Sequence, residues 1–284
     1  HAAAQLADIV LDIEAKATGL SIQARTHAQP KSKLSKTLGE LAKHELRLLG
    51  RIPENASAGV ALYLPPSIRT EWTDALSHLG APPSSDTETK SKVKKALREF
   101  WSASSGELAI MLEPRSGEHS AGVVGLIGTR DQATTKKAVK ALLKLGQKHT
   151  GIGHRLNAYR VGQHAVHQVR LGDTKTKQTP LSPWAPILNY DMAITKDEVI
   201  MLYGDGADAA MTTWLAGSPK ENKMMSKRTA SLGAAAKSPF FVAFLSPVPA
   251  LASIRWSRLK PLSQAASALK PSKAFAVFAA GVHD

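Results

Sequence analysis

Two histidines three residues apart, His164 and His167 in the stretch YRVGQHAVHQVRLGD (Tyr159 to Asp173), raise the question of metal binding in this 284-residue chain. Imidazole nitrogens are good zinc ligands, and a helix would place positions i and i+3 on one face. The segment instead alternates apolar and polar residues, carries three valines and follows Gly162, which marks a strand. In a strand, His164 looks one way with Val166 and His167 the other with Ala165 and Val169, so the two rings share no ligand. His119, His149 and His154 lie nearby in sequence, but carboxylates at ligand spacing are missing, and the pair reads as structural or exposed. His44-Glu45 begins like the metalloprotease pattern H-E-x-x-H, yet Leu48 stands where the second ligand belongs.

Phosphate chemistry is tested next. No G-x-x-x-x-G-K-[ST] and no G-x-S-x-G occurs, which removes the P-loop and the nucleophile elbow. Gly204, Gly206 and Ala209 satisfy G-x-G-x-x-A between a strand and a helix. A dinucleotide site also needs a second parallel strand after that helix. Here the polar stretch SPKENKMMSKRT follows, and Asp205 would set a carboxylate beside the pyrophosphate. A plain turn is the better reading, and no cofactor is expected. Basic residues do form rows: Lys136, Lys140, Lys144 and Lys148 recur every four positions opposite Ala138, Leu142 and Leu145, while Lys92, Lys95 and Arg98 line an earlier helix. Such rows are often the solvated backs of amphipathic helices, and they are also the candidate contacts for a polyanion.

Composition bounds the rest. Lys plus Arg is 37 against 23 Asp plus Glu, a formal charge of +14, which attracts nucleic acid, acidic polymers or anionic membrane faces. Aromatics are only 5%, few for stacking on bases, and no helix-turn-helix or zinc finger is visible. The absence of cysteine excludes disulfide scaffolds, thiolate zinc sites and cysteine nucleophiles. No apolar run approaches the roughly 20 residues of a membrane-spanning helix, and the opening HAAAQLADIV lacks the order of a signal peptide. The expectation is an intracellular protein, or one whose leader lies upstream of residue 1.

The elements that must position these residues follow from periodicity. Ile9, Leu11 and Ile13, then Leu20, Ile22 and Ala24, flank a turn at Thr18-Gly19 and predict a hairpin with one buried face. Pro30 and Ser32 introduce a helix to about Leu49. A strand is expected at Gly59 to Leu64, then a helix burying Ile68, Trp72, Ala75, Leu76 and Leu79 before Gly80. After the linker APPSSDTETK, a helix at Ser91 to Trp101 buries Val93, Leu97 and Phe100. Strands at ELAIMLE and GVVGLIG precede a helix capped by Asp131 and running to Leu145. Hairpins RLNAY with HAVHQVRL, and YDMAIT with EVIMLYG, a short helix to Leu215, and strands FFVAFL and AFAVFAAGV complete the chain. Adjacent strands with intervening single helices predict the α+β class, an antiparallel sheet covered by amphipathic helices. Residues 1–50 read as the hairpin and helix closing a first repeat or lobe, and 51–284 as the main lobe. The last strand, Ala274 to Val282, resembles the opening hairpin, which suggests a window within a longer repeated protein.

Four blocks, GRIPENASAGVALYL, VVGLIGTRDQATTKKAVKALLKL, NAYRVGQHAV and YDMAITKDEVIMLYGDGADAAMTTWLAG, over residues 51–217, resemble a domain-of-unknown-function family of bacterial envelope proteins, often lipoproteins. The resemblance implies an extracytoplasmic location and a non-enzymatic role, and it supplies no catalytic residues. The expected function is therefore an envelope protein binding a ligand or partner such as an anionic polymer, a lipid or another protein. A nucleic-acid or other polyanion-binding module is the alternative, and a histidine-dependent metal hydrolase a second.

Overall fold

The computed structural model describes residues 6–16, 19–42, 44–53, 55–80, 86–114, 121–150, 153–170, 189–204, 206–216, 239–245 and 276–281. In chain order the elements are β1 (Leu6–Lys16), β2 (Gly19–Ala28), α1 (Lys33–Leu41), a 3-10 turn (Arg47–Arg51), β3 (Ala58–Tyr63), α2 (Pro66–Gly80), α3 (Thr87–Ala103), β4 (Ser104–Pro114), β5 (Ala121–Thr129), α4 (Gln132–Thr150), β6 (Gly153–Val161), β7 (His164–Arg170), β8 (Tyr190–Ile194), β9 (Glu198–Tyr203), α5 (Ala207–Ala216), β10 (Pro239–Leu245) and β11 (Ala276–Gly281). β1 and β2 pair with each other alone, and the other nine strands form one sheet in the order β11-β10-β3-β4-β5-β9-β8-β7-β6. Every pairing in it is antiparallel, so the fold is α+β on antiparallel sheet. Among the described residues no helix is long and apolar enough to cross a membrane.

Alternation along the strands sends side chains to two cores. Ala61, Ala109, Met111, Val124, Leu126, Ile200, Leu202 and Val242 face α5, α1 and the 3-10 turn, where Leu41, Leu48, Leu49, Met211 and Trp214 close over them. Leu108, Ile127, Val169, Met192, Ile194 and Val199 face the other way and are covered by Phe100 and Trp101 of α3 and Ala138, Val139 and Leu143 of α4. A helix on each face explains why β5 and β9 carry almost no charged residues, whereas β4 keeps polar residues toward its ends and leaves Ile110 60% exposed. Leu48, Leu49 and Ile52 are all buried in one core.

Several local expectations are corrected. The helix after Ser32 stops at Leu41, although Ser32 caps it as expected, accepting from the Ser35 N–H at 3.0 Å. Residues 44–46 leave the helix because His44 stacks on Tyr63, 3.6 Å between ring centroids, and the Leu48 N–H donates to Glu107 at 2.8 Å. α3 begins earlier than Ser91, at Thr87, because Asp86 accepts from the Thr89 N–H at 2.6 Å. On α2, among side chains described through Ser77, Ile68 and Leu76 pack half-buried against the core as expected, but the buried residues are Arg69, Thr73 and Ser77, while Ala75 is exposed and Trp72 is 44% exposed. Arg69 turns inward because its guanidinium donates to the Trp101 and Ser104 carbonyls, at 2.8 and 3.2 Å, serving the C-terminal end of α3. On α4 it is Leu143 that is buried, while Leu145 is half-buried. The last strand pairs with β10, and so differs in its place from the strands of the opening hairpin. His119, Asp205 and linker residues 81–85 lie outside the described residues.

Asp131 is the N-cap of α4. Its carboxylate accepts from the Thr134 N–H at 3.1 Å and from the Thr134 hydroxyl at 2.6 Å, and the hydroxyl bond above all holds it below the usual carboxylate range. Asp131→Ala leaves first-turn amides unpaired and lowers the melting temperature by a few degrees, while Asp131→Asn or Asp131→Ser restores most of the loss. Thermal unfolding of the three variants checks this. An unchanged Asp131→Ala would mean that the cap does not hold α4.

Candidate functional site

α4 crosses the sheet beside the β6–β7 hairpin, and between them lies a cleft of about 580 Å³. Two local features of the hairpin shape it. Gly162 sits first in the two-residue loop with φ of 56°, a backbone that type I′ and II′ hairpins require and that glycine adopts freely. The β6 register breaks between Arg155 and Tyr159, a bulge in which Asn157 takes φ of 53°. The Asn157 N–H, freed from the ladder, donates to Nδ1 of His167 at 3.0 Å. On the α4 side, Gln132 donates to the Ile194 carbonyl at 2.9 Å and ties the helix start to β8.

The rim of this cleft is cationic. Lys136 and Lys140 reach it from α4, Arg160 from the end of β6 and Lys196 from the β8–β9 turn. All four are exposed. Val139, Leu156, Ala165 and Ile194 supply an apolar floor, with Gln132, Asn157, Gln163, His164 and His167 between floor and rim. No carboxylate belongs to the lining. Burial, then the neighbouring Lys136 and His154, push the His167 ring below its ordinary value, so near neutrality it is uncharged. With Nδ1 accepting, the proton sits on Nε2, which makes His167 a donor without net charge. The strand alternation sends His164 and His167 to opposite faces of β7, and both border the cleft. Among the described residues no three His, Asp or Glu side chains are grouped to hold a metal ion.

Of the lysine row, Lys136 and Lys140 enter the cleft and Lys144 and Lys148 do not, though all are exposed. At 3.6 residues per turn, each step of four advances about 40° beyond a full turn, so Lys148 lies about 120° around the helix from Lys136. Lys92, Lys95 and Arg98 are exposed on α3, outside the cleft, and Lys92 pairs with Glu88 at 2.6 Å. Arg160 and Lys196 carry no periodic signal; the two Arg-bearing or Lys-bearing hairpin turns were the only trace of them in the sequence.

A second cavity, about 380 Å³, lies at the G-x-G-x-x-A turn and is lined by Gly204, Gly206, Asp208, Arg170 and Asp191 among others. Gly204 and Gly206 have φ of 92° and 68°, so the turn itself demands them. β9 runs antiparallel to both of its neighbours, and two carboxylates face the cavity, an arrangement unsuited to a pyrophosphate. Buried polar groups the sequence did not single out hold this side together. Asp191, 1% exposed, accepts from Arg170 and from the Tyr159 hydroxyl, each at 2.7 Å. Glu107, 0% exposed, accepts from Arg47 Nε at 3.1 Å and lies 3.3 Å from His44 Nε2. Glu198 pairs with Arg51, whose guanidinium also sits 5.6 Å over the Trp214 ring.

Compared with protein-family models, with curated proteins and with solved structures, the chain matches none.

Proposed function

We propose that this is a non-enzymatic binding protein of the bacterial envelope that holds an anionic ligand in the cleft between α4 and the β6–β7 hairpin. The observation that carries the reading is the cleft's composition: Lys136, Lys140, Arg160 and Lys196 surround an apolar floor, and no carboxylate lines it. Four unopposed cations around one concavity raise the local concentration of anions, and an uncharged donor such as His167 fixes orientation. A polymer or lipid carrying phosphate, sulfate or carboxylate groups fits this chemistry, and the resemblance of residues 51–217 supports the envelope location. The non-enzymatic part rests on how the carboxylates are engaged: Glu107 and Glu198 are held in ion pairs within the core.

The test is retention on a sulfated polysaccharide as a function of salt. Lys136→Glu with Lys140→Glu is expected to weaken binding at least about tenfold and to flatten the salt slope, whereas Lys144→Glu with Lys148→Glu changes it little. Equal losses in the two double variants would mean that charge in general, not the cleft, does the binding. Tighter binding to duplex DNA, lost on reversal of Lys92, Lys95 and Arg98, would instead favour the nucleic-acid alternative.

A further inference from the structure

One histidine of the cleft has its proton placed by the fold. His167 stands opposite Met192 in the β7–β8 pairing, so its ring points to the face of the sheet that α4 covers. Its Nδ1 accepts from the Asn157 N–H at 3.0 Å. That donor is free because β6 runs from Arg155 to Tyr159 while β7 runs only from Gln168 to Val166, and the surplus turns Asn157 to φ of 53°. An imidazole that accepts at Nδ1 carries its one proton on Nε2, and a second proton enters only at Nδ1, by displacing the Asn157 N–H. Asn157 is exposed, so water takes over its amide and the displacement costs little.

The charges around this ring are all of one sign. Lys136 and Lys140 come from α4, His154 and Arg160 from β6, His164 from β7 and Lys196 from the β8–β9 turn. Of the acidic residues on the adjoining segments, Asp131, Asp191, Asp197 and Glu198, none lines the cleft. Asp191 is engaged by Arg170 and Tyr159, and Glu198 by Arg51. Burial, then Lys136 and His154, push the ring below its ordinary value. An anion brought among these cations offsets the repulsion from Lys136 and adds a negative charge of its own, and both effects favour the imidazolium.

We propose that anion binding in this cleft is coupled to uptake of one proton at Nδ1 of His167, so that the site holds its ligand more tightly in mildly acid surroundings and releases it as the pH rises. The coupling rests on the reading of this cleft as the anion site. Acid favours whichever state binds the proton more tightly, and here that state is the complex. Affinity is therefore constant above the pKa of the ring in the complex, climbs as the pH falls between the bound and free values, and levels off below the free value. Each unit by which the ligand raises the ring corresponds to about tenfold in affinity.

The probe is a sulfated oligosaccharide free of carboxylates, whose own charge is constant over the range, titrated onto the full chain from about pH 8 to about pH 5. Its affinity is expected to rise at least about threefold as the pH falls. His167→Gln keeps an uncharged donor and is expected to abolish the rise, whereas His154→Gln and His164→Gln retain it. In the wild-type chain, at a pH where the free ring is neutral, the ring nitrogen resonances of His167 are expected to pass from the Nε2–H form to the imidazolium as the probe saturates the site. A pH-independent affinity that still requires Lys136 and Lys140 overturns the coupling and leaves the anion site standing, while no binding at any pH overturns both. A rise that survives His167→Gln, or a ring that stays neutral in the complex, places the proton elsewhere and also overturns the coupling.

Discussion

Glu107→Ala lowers the stability of the folded chain by about 3 kcal/mol and reduces the acid sensitivity of its unfolding. The Glu107 carboxylate is wholly buried beneath the 3-10 turn and accepts from the Leu48 N–H and from Arg47 while lying beside His44. Removing one partner of a buried pair costs about 3 to 5 kcal/mol. The lower end applies because Arg47 is 65% exposed and returns to water, leaving the Leu48 amide and a cavity as the main losses. Burial pushes the Glu107 carboxyl up, but the adjacent His44 ring and the bonds from Leu48 and Arg47 outweigh it and hold the group below its ordinary value of 4.5. A depressed folded value means that the unfolded chain binds the proton more tightly. The stabilisation is therefore complete above about pH 4.5 and is lost as the pH falls through the folded value. Denaturant unfolding of both proteins from pH 7 to pH 3 measures it, and parallel curves would show that Glu107 does not carry the acid sensitivity.

Asp191→Ala is the other large loss, about 2 to 3 kcal/mol. The carboxylate sits on β8 beneath α5, 1% exposed, and joins three elements by accepting from Arg170 on β7 and Tyr159 on β6. Arg170 is 34% exposed and also donates to the Tyr190 carbonyl at 3.0 Å, so water and backbone take up part of what it loses. The part-buried Tyr159 hydroxyl loses this acceptor. Burial, then the hydrogen bond and charge of Asp191, raise the Tyr159 phenol well above its ordinary value of 10.0. Asp191→Asn keeps an acceptor and removes the charge, so it is expected to cost less than alanine while lowering the Tyr159 ionisation midpoint. Ultraviolet titration of the phenolate reads that shift. A midpoint unmoved by Asp191→Asn would rule out the contact as the source of the tyrosine's perturbation.

What was legible in the sequence is what local chemistry decides. The hairpins from Gly153 to Arg170 and from Tyr190 to Tyr203 are written in alternation and turn residues, and the Ser32 and Asp131 caps in the side chain preceding each helix. Three features required partners distant in sequence. Trp72 has the spacing of a core residue, yet Arg69 takes the buried side of α2 because two carbonyls at the end of α3 await a donor. The helix expected to reach Leu49 breaks because Tyr63 and Glu107 recruit His44 and the Leu48 amide into other geometry. The cleft draws half of its cations from α4, where a period exists, and half from two hairpin turns, where none does. A row of lysines at fixed spacing spirals as well, so its spacing overstated how many could meet one ligand.

The Arg51–Glu198 pair joins residues 147 positions apart, and β3 pairs on one side with β4 and on the other with β10. On a ribosome adding about 5 to 20 residues per second, Arg51 emerges roughly seven to thirty seconds before its carboxylate exists. For that interval the 3-10 turn lacks its Arg51–Glu198 pair, even after Glu107 has been made and has bonded to Arg47 and Leu48, and one edge of β3 stands open. The strands from β4 through β9 are contiguous in sequence and can pair among themselves first, which makes β10 the closing element of the sheet. Mutations that slow its arrival would leave β3 exposed longest, at the place where a newly made chain is most prone to pair with a neighbouring one.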